Sequence, residues 1–262
     1  MPTPRNQSFI LAAGNSGPLI LSRYDFNVGP MGMYGVGDQL LHAGCYDSEE
    51  AGAINKILTT IHRHRGRNIV ALDGGANIGV FTIEMAKHMA GWGEVLAVEA
   101  QRFLYYALCG NVVLNNCFNV IAVRKVLAET HGQMLVPNLD FQRHASFGSL
   151  ELLRHDYNED IGQPVASSFS LVDKVPIDEI LPDTAVDFIK LDIEGMELHA
   201  LRGAADVVEC WKPVIFLETM KCDYREIQVW FDAKDYKLAR WGMNAVAVHA
   251  SEPYTPRSFV PE

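Results

Sequence analysis

The sequence has few cysteines, and nothing in their spacing pairs them. The five cysteines are scattered over 262 residues and show no C-x-x-C spacing. An odd, scattered set argues against a disulfide framework and predicts reduced thiols, as in cytosolic proteins. The nine histidines form no H-E-x-x-H motif or comparable pair, so we predict no metal ligands among them.

Positive charge and long apolar runs are also scarce. The 22 Lys and Arg against 32 Asp and Glu leave a net charge of −10. This deficit argues against a nucleic-acid partner, because few cations are available to neutralise phosphates. No apolar run approaches membrane-spanning length, and the N-terminus has no secretory pattern. We therefore expect no membrane partner and a cytoplasmic location.

The length suits one large α/β domain with additions. Residues 1–46 carry short apolar pieces and a glycine-punctuated run, which predicts an N-terminal cover segment, and residues 47–262 form the main domain. Residues 138–167 lose clear periodicity. A long irregular insertion in a compact domain is usually functional or disordered. Its aromatic residues, among them Phe141 and Phe147, favour an ordered segment that faces the substrate.

Apolar strands alternate with amphipathic helices along the main domain. Asp47 and Glu50 form a capping-box pattern that predicts a helix start. The predicted strands are 69–72, 94–99, 120–127, 187–192 and 214–218, and the predicted helices are 78–89, 102–115, 196–211 and 224–233. This alternation predicts a mostly parallel, doubly wound sheet. Two last strands, 237–241 and 245–249, are predicted to close it as an antiparallel hairpin.

A glycine-rich turn follows the first strand of this sheet. A strand, a glycine turn and a helix N-terminus form a site where backbone atoms can approach a nucleotide-like ligand. The alternative is an ordinary strand–helix–strand unit whose glycines only serve a tight turn. The predicted ligand-binding residues of the turn are Asp73, Gly74, Gly75, Ala76, Asn77 and Gly79.

The spacing of the turn indicates its ligand. Dinucleotide sites have the pattern G-x-G-x-x-G, whereas Asn77 stands here at the middle position and Gly79 comes one residue early. The turn is a poor match to an NAD site and a good match to the loop of S-adenosylmethionine (SAM) enzymes. The next strand ends at Glu99, followed by Ala100, and a carboxylate there can accept hydrogen bonds from both ribose hydroxyls.

Four predicted strands end in an acid, and such strand ends meet at one edge of a parallel sheet. The four acids are Asp73, Glu99, Asp192 and Glu218. Glu194 lies two residues after Asp192, and Gly195 permits a tight turn into the next helix. Asp192 and Glu194 are therefore the catalytic candidates. The alternative is a charged helix N-terminus, where the helix dipole favours acids.

Three blocks of the sequence resemble the FkbM-type SAM-dependent methyltransferases. They are the glycine turn at 73–82, the Val-Glu-Ala at 98–100, and the segment 187–197 with the Leu-Arg-Gly-Ala that follows at 201–204. The resemblance covers about residues 45–250 and is most specific at 187–204. Three positions depart from the usual family pattern: Gly74 stands where valine is usual, Met196 stands where alanine is usual, and Gln101 follows Glu-Ala where the family often has Glu-Pro.

The resemblance implies a class I methyltransferase fold, which is Rossmann-like and has a seven-stranded sheet. It also implies SAM as cofactor and O-methylation of a hydroxyl on a small-molecule or glycan acceptor. The hydroxyl then needs in-line placement and loss of its proton. Asp192 is expected to act as base or to orient the hydroxyl, Glu194 to shape the site, and Glu218 is a possible substitute for Asp192. Alternatively, a pair of carboxylates could hold a divalent cation.

Two other classes of function fit parts of the sequence. An NAD(P)-dependent oxidoreductase would use the same kind of sheet, but the spacing of Asn77 and Gly79 disfavours it, and no Tyr-x-x-x-Lys pair stands in a helix. A non-catalytic SAM-binding protein would not need the strand-end acids. Neither the identity of the acceptor nor the oligomeric state follows from the sequence.

Overall fold

The computed structural model describes residues 7–30, 32–153, 158–165 and 168–260. Parts of the predicted segments lie outside these ranges; they are 1–6 and 31 of the N-terminal segment, 154–157 and 166–167 of the insertion, and 261–262. The strands are β1 (Phe9–Gly14), β2 (Gly17–Ser22), β3 (Asn27–Gly29), β4 (Gly32–Tyr34), β5 (Ile69–Gly74), β6 (Gly93–Val98), β7 (Val120–Val123), β8 (Val126–Leu127), β9 (Gly132–Pro137), β10 (Phe169–Val175), β11 (Phe188–Leu191), β12 (Val214–Glu218), β13 (Tyr236–Trp241) and β14 (Asn244–His249). The helices are α1 (Val36–Ala43), α2 (Ser48–Arg65), α3 (Val80–His88), α4 (Arg102–Leu114), α5 (Ile177–Ile180), α6 (Glu197–Arg202), α7 (Ala205–Trp211) and α8 (Tyr224–Asp232).

Seven strands form one sheet in the order β13-β14-β12-β11-β5-β6-β7. Neighbouring strands from β12 to β7 are parallel, and β14 is antiparallel to both β12 and β13. The predicted mostly parallel, doubly wound sheet with a C-terminal hairpin is confirmed. Strand order reverses between β5 and β11, and such a switch point opens a crevice at the carboxyl ends of the strands.

Alternate side chains of each central strand pack on opposite faces of the sheet, as expected for strands buried on both sides. In β12, Val214 and Phe216 pack with helices α2 and α3, whereas Ile215 and Leu217 pack with α5 to α8. Both sets are at most 1% exposed. The sheet is thus a rigid layer between two helical layers, and it fixes the loops at its carboxyl edge.

Smaller elements surround this edge. The hairpin β1–β2 packs against α4, and β3 pairs with β4. A further three-stranded sheet has the order β8-β10-β9. The buried carboxylate of Asp25 joins the N-terminal elements to the insertion, since it accepts hydrogen bonds from the amides of Gly37 and Phe147. N-terminal segment and insertion therefore cover the same end of the sheet.

Two local predictions are wrong. The single strand predicted over 120–127 is broken at Arg124, because Val126 and Leu127 leave the main sheet to pair with β10. The capping box of α2 is not formed: Asp47 has a left-handed backbone (φ 39°) and its side chain makes no capping hydrogen bond. The carboxylate of Glu50 instead accepts a hydrogen bond from the side-chain amide of Asn244. Asp47 still precedes α2 and Glu50 still lies in its first turn, but both residues line a cavity.

Candidate active site

One cavity of about 400 Å³ lies at the carboxyl ends of β5, β6, β11 and β12. Most predicted site residues line it; they are Asp73, Gly75, Ala76, Asn77, Glu99, Ala100, Asp192 and Glu194. Gly74 and Gly79 are not among the lining residues. The sheet therefore brings the glycine turn and the Asp192 segment, which are more than a hundred residues apart in sequence, to one cavity.

The glycine turn packs directly on the chain that follows β11. Gly75 has φ 78°, and a Cβ atom there would lie 1.8 Å from the carbonyl oxygen of Asp192. Only glycine fits such a contact. The amides of Gly75 and Ala76 both donate to the carbonyl of Val98. Because these bonds hold the turn against both neighbouring strands, its position relative to Asp192 is fixed.

The other two glycines serve packing within the fold. A Cβ atom on Gly74 would lie 2.7 Å from Leu127 and 2.9 Å from Leu191. A Cβ atom on Gly79, which precedes α3 with φ 90°, would lie 2.6 Å from a side-chain carbon of Leu108 on α4. The nearest atoms at both positions are the ends of leucine side chains, so the steric demand for glycine is smaller than at Gly75, and at Gly79 the positive φ also favours glycine.

Glu99 presents a buried carboxylate at the end of β6. Its Oε2 accepts a hydrogen bond from the amide of Asn77 (2.9 Å), and its Oε1 accepts one from the amide of Gln101 (2.6 Å). Burial raises the pKa of Glu99 to about 7, although these amides oppose the rise. Two amides therefore fix the orientation of the carboxylate, and each oxygen keeps a lone pair for a ligand hydroxyl.

Asp73 on β5 and Lys190 on β11 are both buried, and they stand opposite each other where the two strands pair. Asp73 accepts a hydrogen bond from the hydroxyl of Thr82 (2.5 Å), and its other oxygen, Oδ1, is buried without a hydrogen-bond partner in the described part of the chain. Burial raises the pKa of Asp73, and the ammonium of Lys190 opposes the rise. The Lys190 ammonium lies 4.7 Å from the ring centroid of Phe81 and 3.0 Å from Oδ2 of Asp192.

Three carboxylates converge where β11 and β12 end. Asp192, Glu194 and Glu218 each contribute an oxygen, and these oxygens all lie within 4.8 Å of one another. Glu194 has a left-handed backbone (φ 57°) and Gly195 follows with φ 89°, so the predicted tight turn is confirmed. A non-glycine residue held in this region is strained, and such strain is common at functional sites.

Two ammonium groups already neutralise part of this cluster. Lys190 binds Asp192, and the Nζ of Lys221 lies 2.5 Å from Oε2 of Glu194. Burial, then the charge of Asp192, nevertheless raise the pKa of Glu194 to about 8 and that of Glu218 to about 9, and the charge of Lys221 opposes both rises. Each ion pair involves one carboxylate oxygen, Oδ2 of Asp192 and Oε2 of Glu194, and leaves the other oxygen of each acid outside the pair.

Sequence reasoning missed Glu159 and Lys221, which connect the predicted residue Glu194 to Tyr34 at the cavity mouth. Lys221 also lies 2.7 Å from Oε2 of Glu159, whose Oε1 accepts a hydrogen bond from the hydroxyl of Tyr34 (2.7 Å). We call this chain of contacts, Tyr34–Glu159–Lys221–Glu194, the mouth bridge. It joins the N-terminal segment, the insertion and the loops after β12 and β11. No local pattern marks these residues, because each comes from a different segment.

Phe141 and Phe147 of the insertion do not line the cavity. Phe147 is 0% exposed, and its ring stacks on that of Phe141 at 4.1 Å, with Phe9 packed on the far side of Phe141. The prediction that Phe141 and Phe147 face a substrate is wrong, because these rings anchor the insertion to the core. The insertion instead contributes Ser146, Ser149 and Glu159 to the cavity wall.

Comparison with known proteins identifies the family. A family model described as the methyltransferase FkbM domain matches residues 73–238. Methyltransferase sdnD of Sordaria araneosa is 27% identical, and the match covers 63% of this chain and 76% of that protein.

Solved structures of methyltransferases are among the structures to which this chain is similar. Methyltransferase FkbM from Methylobacillus flagellatus KT is 21% identical with a TM-score of 0.49, and the match covers 70% of this chain and 44% of that chain. The present chain thus spans less than half the length of that protein. M. jannaschii TYW2, solved in complex with AdoMet, is 16% identical with a TM-score of 0.39, over 92% and 84% of the two chains.

The family match spans well over half of the chain, and it includes the glycine turn, Glu99 and the Asp192 segment. It removes the oxidoreductase alternative, which the spacing of Asn77 and Gly79 already disfavoured. No helix in the described ranges is long and apolar enough to cross a membrane. The sheet has the seven, mostly parallel strands that the family resemblance implies, and the chain belongs to the FkbM family of SAM-dependent methyltransferases.

Proposed function

We propose that this protein methylates a hydroxyl group of a small or medium-sized acceptor, namely a sugar or a natural product, with Asp192 as the base. The observation that carries the proposal is the placement of Asp192. It follows β11 at the cavity, its Oδ2 is held 3.0 Å from Lys190, and its side chain is 33% exposed. A carboxylate fixed through one oxygen keeps the other for the proton of a hydroxyl.

The residues of the other half of the cavity fit SAM. The volume of about 400 Å³ lies within the usual range of roughly 300–1,000 Å³ for ligand sites. Glu99 would accept hydrogen bonds from the ribose hydroxyls, and the backbone of Gly75 to Asn77 would flank the cofactor. When bound, SAM supplies an electrophilic methyl group on a positively charged sulfonium. The surplus of acids around the cavity suits that charge.

The residues around the mouth support an acceptor with several hydroxyl groups. The N-terminal segment contributes Tyr34, and the insertion contributes Ser146, Ser149 and Glu159. These groups both donate and accept hydrogen bonds, as polyhydroxylated molecules require. The acidic net charge of −10 disfavours polyanionic acceptors such as nucleic acid. We therefore infer that the acceptor lies between Asp192 and the mouth bridge.

An acceptor screen tests the proposal. The purified protein is incubated with methyl-labelled SAM and a panel of sugars, glycosides and phenols, together with amines, thiols and an RNA. We expect the label to appear in a methyl ether of a hydroxyl compound, which mass spectrometry confirms. The control reaction without the protein should give no labelled product. Labelling of an amine, a thiol or RNA in preference to every hydroxyl compound would overturn the proposed acceptor class.

The screen also separates an enzyme from a binding protein. Calorimetry with SAM gives the affinity and stoichiometry of the cofactor independently of turnover. Binding of one SAM per chain without methylation of any panel member, and without turnover in an extract that contains cellular metabolites, would favour a non-catalytic SAM-binding protein.

A further inference from the structure

The carboxylate cluster at the end of β11 and β12 has one more acid than it has cations. Asp192 is paired with Lys190 and Glu194 with Lys221. Glu218 forms no ion pair in the described part of the chain, where the charge of Lys221 is only the weakest influence on it, although it lies within 4.8 Å of the other two carboxylates. When like charges share a site without a counterion, one of the groups keeps its proton. The pairing singles out Glu218 as that group.

The free oxygen of Glu218 belongs to the cavity. Glu218 ends β12 and lines the cavity, and its Oε2 is buried without a hydrogen-bond partner in the described part of the chain. A buried polar atom without a partner costs free energy of about 1–3 kcal/mol. Such a cost is removed when a ligand supplies the missing hydrogen bond. The orphaned oxygen therefore marks a contact that the bound acceptor completes.

We propose that Glu218 is an acceptor-contacting residue in its neutral form, and that its carboxyl group binds an uncharged, hydroxylated part of the acceptor and holds it beside Asp192. The inference rests on the proposed hydroxyl methylation and adds the chemical class of the acceptor group next to the methylated oxygen. A neutral carboxyl group both donates and accepts a hydrogen bond. It therefore suits a hydroxyl or carbonyl group next to the methylated oxygen.

Two rival states of Glu218 predict different ligands. An ionised Glu218 would attract a cationic amine on the acceptor, or a divalent cation shared with Asp192 and Glu194. Either ligand needs the negative charge of Glu218, whereas a neutral acceptor needs only its hydrogen bonds. Glutamine has the shape of a neutral glutamic acid, with one donor group and one acceptor group. Glu218→Gln should therefore keep the binding of a neutral acceptor, but lose the binding of an amine or a metal cation.

The test compares Glu218→Gln with Glu218→Ala in the full-length chain, using the best hydroxyl acceptor of the wild-type protein. We expect Glu218→Gln to keep the acceptor KM within about 3-fold, and Glu218→Ala to raise it by about 10-fold, the loss typical of a hydrogen bond to a buried group. SAM affinity, measured by calorimetry, should be unchanged in both. Glu94→Gln and Glu94→Ala are the matched controls, because Glu94 is exposed at the opposite end of the sheet.

The pH dependence of the acceptor KM gives a second test of the protonation state of Glu218. Desolvation and the neighbouring acids raise the pKa of Glu218 to about 9, so the wild-type acceptor KM should rise above that pH, when the proton is lost. Glu218→Gln should remove this rise. The groups that surround Glu218 and stay the same in both proteins are Glu50 on α2, Asp192 and Glu194 after β11, Glu197 on α6, Lys221 after β12, and Asn244 on β14.

The outcomes are distinct. Equal loss of activity in Glu218→Gln and Glu218→Ala, together with activation of the wild-type protein by Mg²⁺ or Mn²⁺ and inhibition by a chelator, would replace the neutral carboxyl by a metal site. Equal loss with a preference for aminated acceptors would replace it by a cation-binding site. An acceptor KM that neither substitution changes would remove Glu218 from the site. Failure of the wild-type protein to methylate any hydroxyl would instead overturn the proposed function.

Discussion

The two ends of strand β11 carry acids in opposite electrostatic settings. Before the strand, Asp187 is fully buried, with Arg65 at 2.5 Å, Arg67 at 2.7 Å, and the amide of Val70 donating to it at 2.9 Å. After the strand, three carboxylates share two ammonium groups, as described above for the Asp192 cluster. One carboxylate is therefore surrounded by donors, whereas a few residues away carboxylates crowd one another.

This difference indicates that the acid before β11 stabilises the fold, whereas the acids after β11 serve the reaction. A buried acid with all of its hydrogen bonds satisfied holds the amino end of β11 against α2 and β5, and breaking such an arrangement is costly. Crowded acids with raised pKa values destabilise the folded state, and such groups are typical of functional sites. Ligands bind at the carboxyl ends of parallel strands, so we expect substitutions at the two ends to separate folding from turnover.

The largest effect is expected for Asp192→Asn. The amide keeps the size of the side chain but cannot accept the hydroxyl proton, and general base catalysis contributes about 10²–10⁴ in rate. We expect a loss of kcat of that size with SAM affinity within about 2-fold, measured by steady-state kinetics and calorimetry. Asp206→Asn, at an exposed position on α7, should have no effect. Loss of SAM binding with the fold intact would make Asp192 a cofactor-binding residue.

Asp187→Ala should have the opposite profile. It leaves the guanidinium group of Arg67 without its acid, that of Arg65 with Glu252, at 3.3 Å, as its remaining acid, and the amide of Val70 without its side-chain acceptor. We expect the free energy of unfolding to fall by about 3 kcal/mol. For a chain of this size, that loss lowers Tm by about 6–12 °C. Below the new transition, kcat should stay within about 2-fold of wild type. A large loss of kcat in a folded variant would show that the two ends are coupled.

Most of the sheet could be predicted from the sequence, because buried parallel strands and their helices have strong local signals. The apolar runs at 69–72 and 214–218 fall within β5 and β12. The errors lie where tertiary contacts override local preference. Asp47 and Glu50 have the pattern of a capping box, but they turn to the cavity instead. Local rules commonly fail at functional sites for this reason.

The site was predictable only where one segment carries the signal. Strand-end acids and the glycine turn can be recognised in sequence, since the fold places all parallel strand ends together. Pairing between segments cannot be recognised in this way. Lys190 and Lys221 bind acids through the tertiary structure, and the charge balance that singles out Glu218 depends on both. The aromatic residues of the insertion illustrate the same limit, because aromatic character alone does not distinguish a core contact from a ligand contact.

Within the cavity, the cofactor half can be separated from the acceptor half by Glu99→Ala. We expect this change to remove the two hydrogen bonds that Glu99 would accept from the ribose hydroxyls, and so to weaken SAM binding about 10-fold or more. Titration calorimetry measures the change, with Glu94→Ala as control. Unchanged SAM affinity would exclude Glu99 from the cofactor site. The acceptor KM at saturating SAM should remain close to that of wild type.

SAM affinity should also depend on pH through Glu99. Burial raises its pKa from the ordinary 4.5 to about 7, so the free protein holds the proton below pH 7 and the carboxylate forms above it. We expect SAM to bind several-fold more tightly at pH 8 than at pH 6, with a smaller change in Glu99→Gln. The sign for folding is opposite: without ligand, this group lowers stability as the pH rises from about 4.5 to about 7, because the unfolded chain loses its proton first.

The smallest effect is expected at the mouth bridge, from Tyr34→Phe. The hydroxyl of Tyr34 donates to Glu159 at 2.7 Å and accepts from the side-chain amide of Asn27 at 2.9 Å. Its removal loosens one end of the bridge, but Lys221 still holds Glu159 to Glu194. A hydrogen bond of this kind contributes about 0.5–1.5 kcal/mol, so the acceptor KM should rise about 3-fold.

SAM affinity and kcat should change little in Tyr34→Phe, because Tyr34 lies on the acceptor side of the cavity. Tyr106→Phe is the control, since the Tyr106 side chain is on α4 with 57% exposure and does not line the cavity. Steady-state kinetics with varied acceptor, together with calorimetry for SAM, measures both quantities. Equal weakening of acceptor and SAM would show that the mouth bridge shapes the whole cavity. An unchanged acceptor KM would place the acceptor deeper, among Asp192, Glu194 and Glu218 alone.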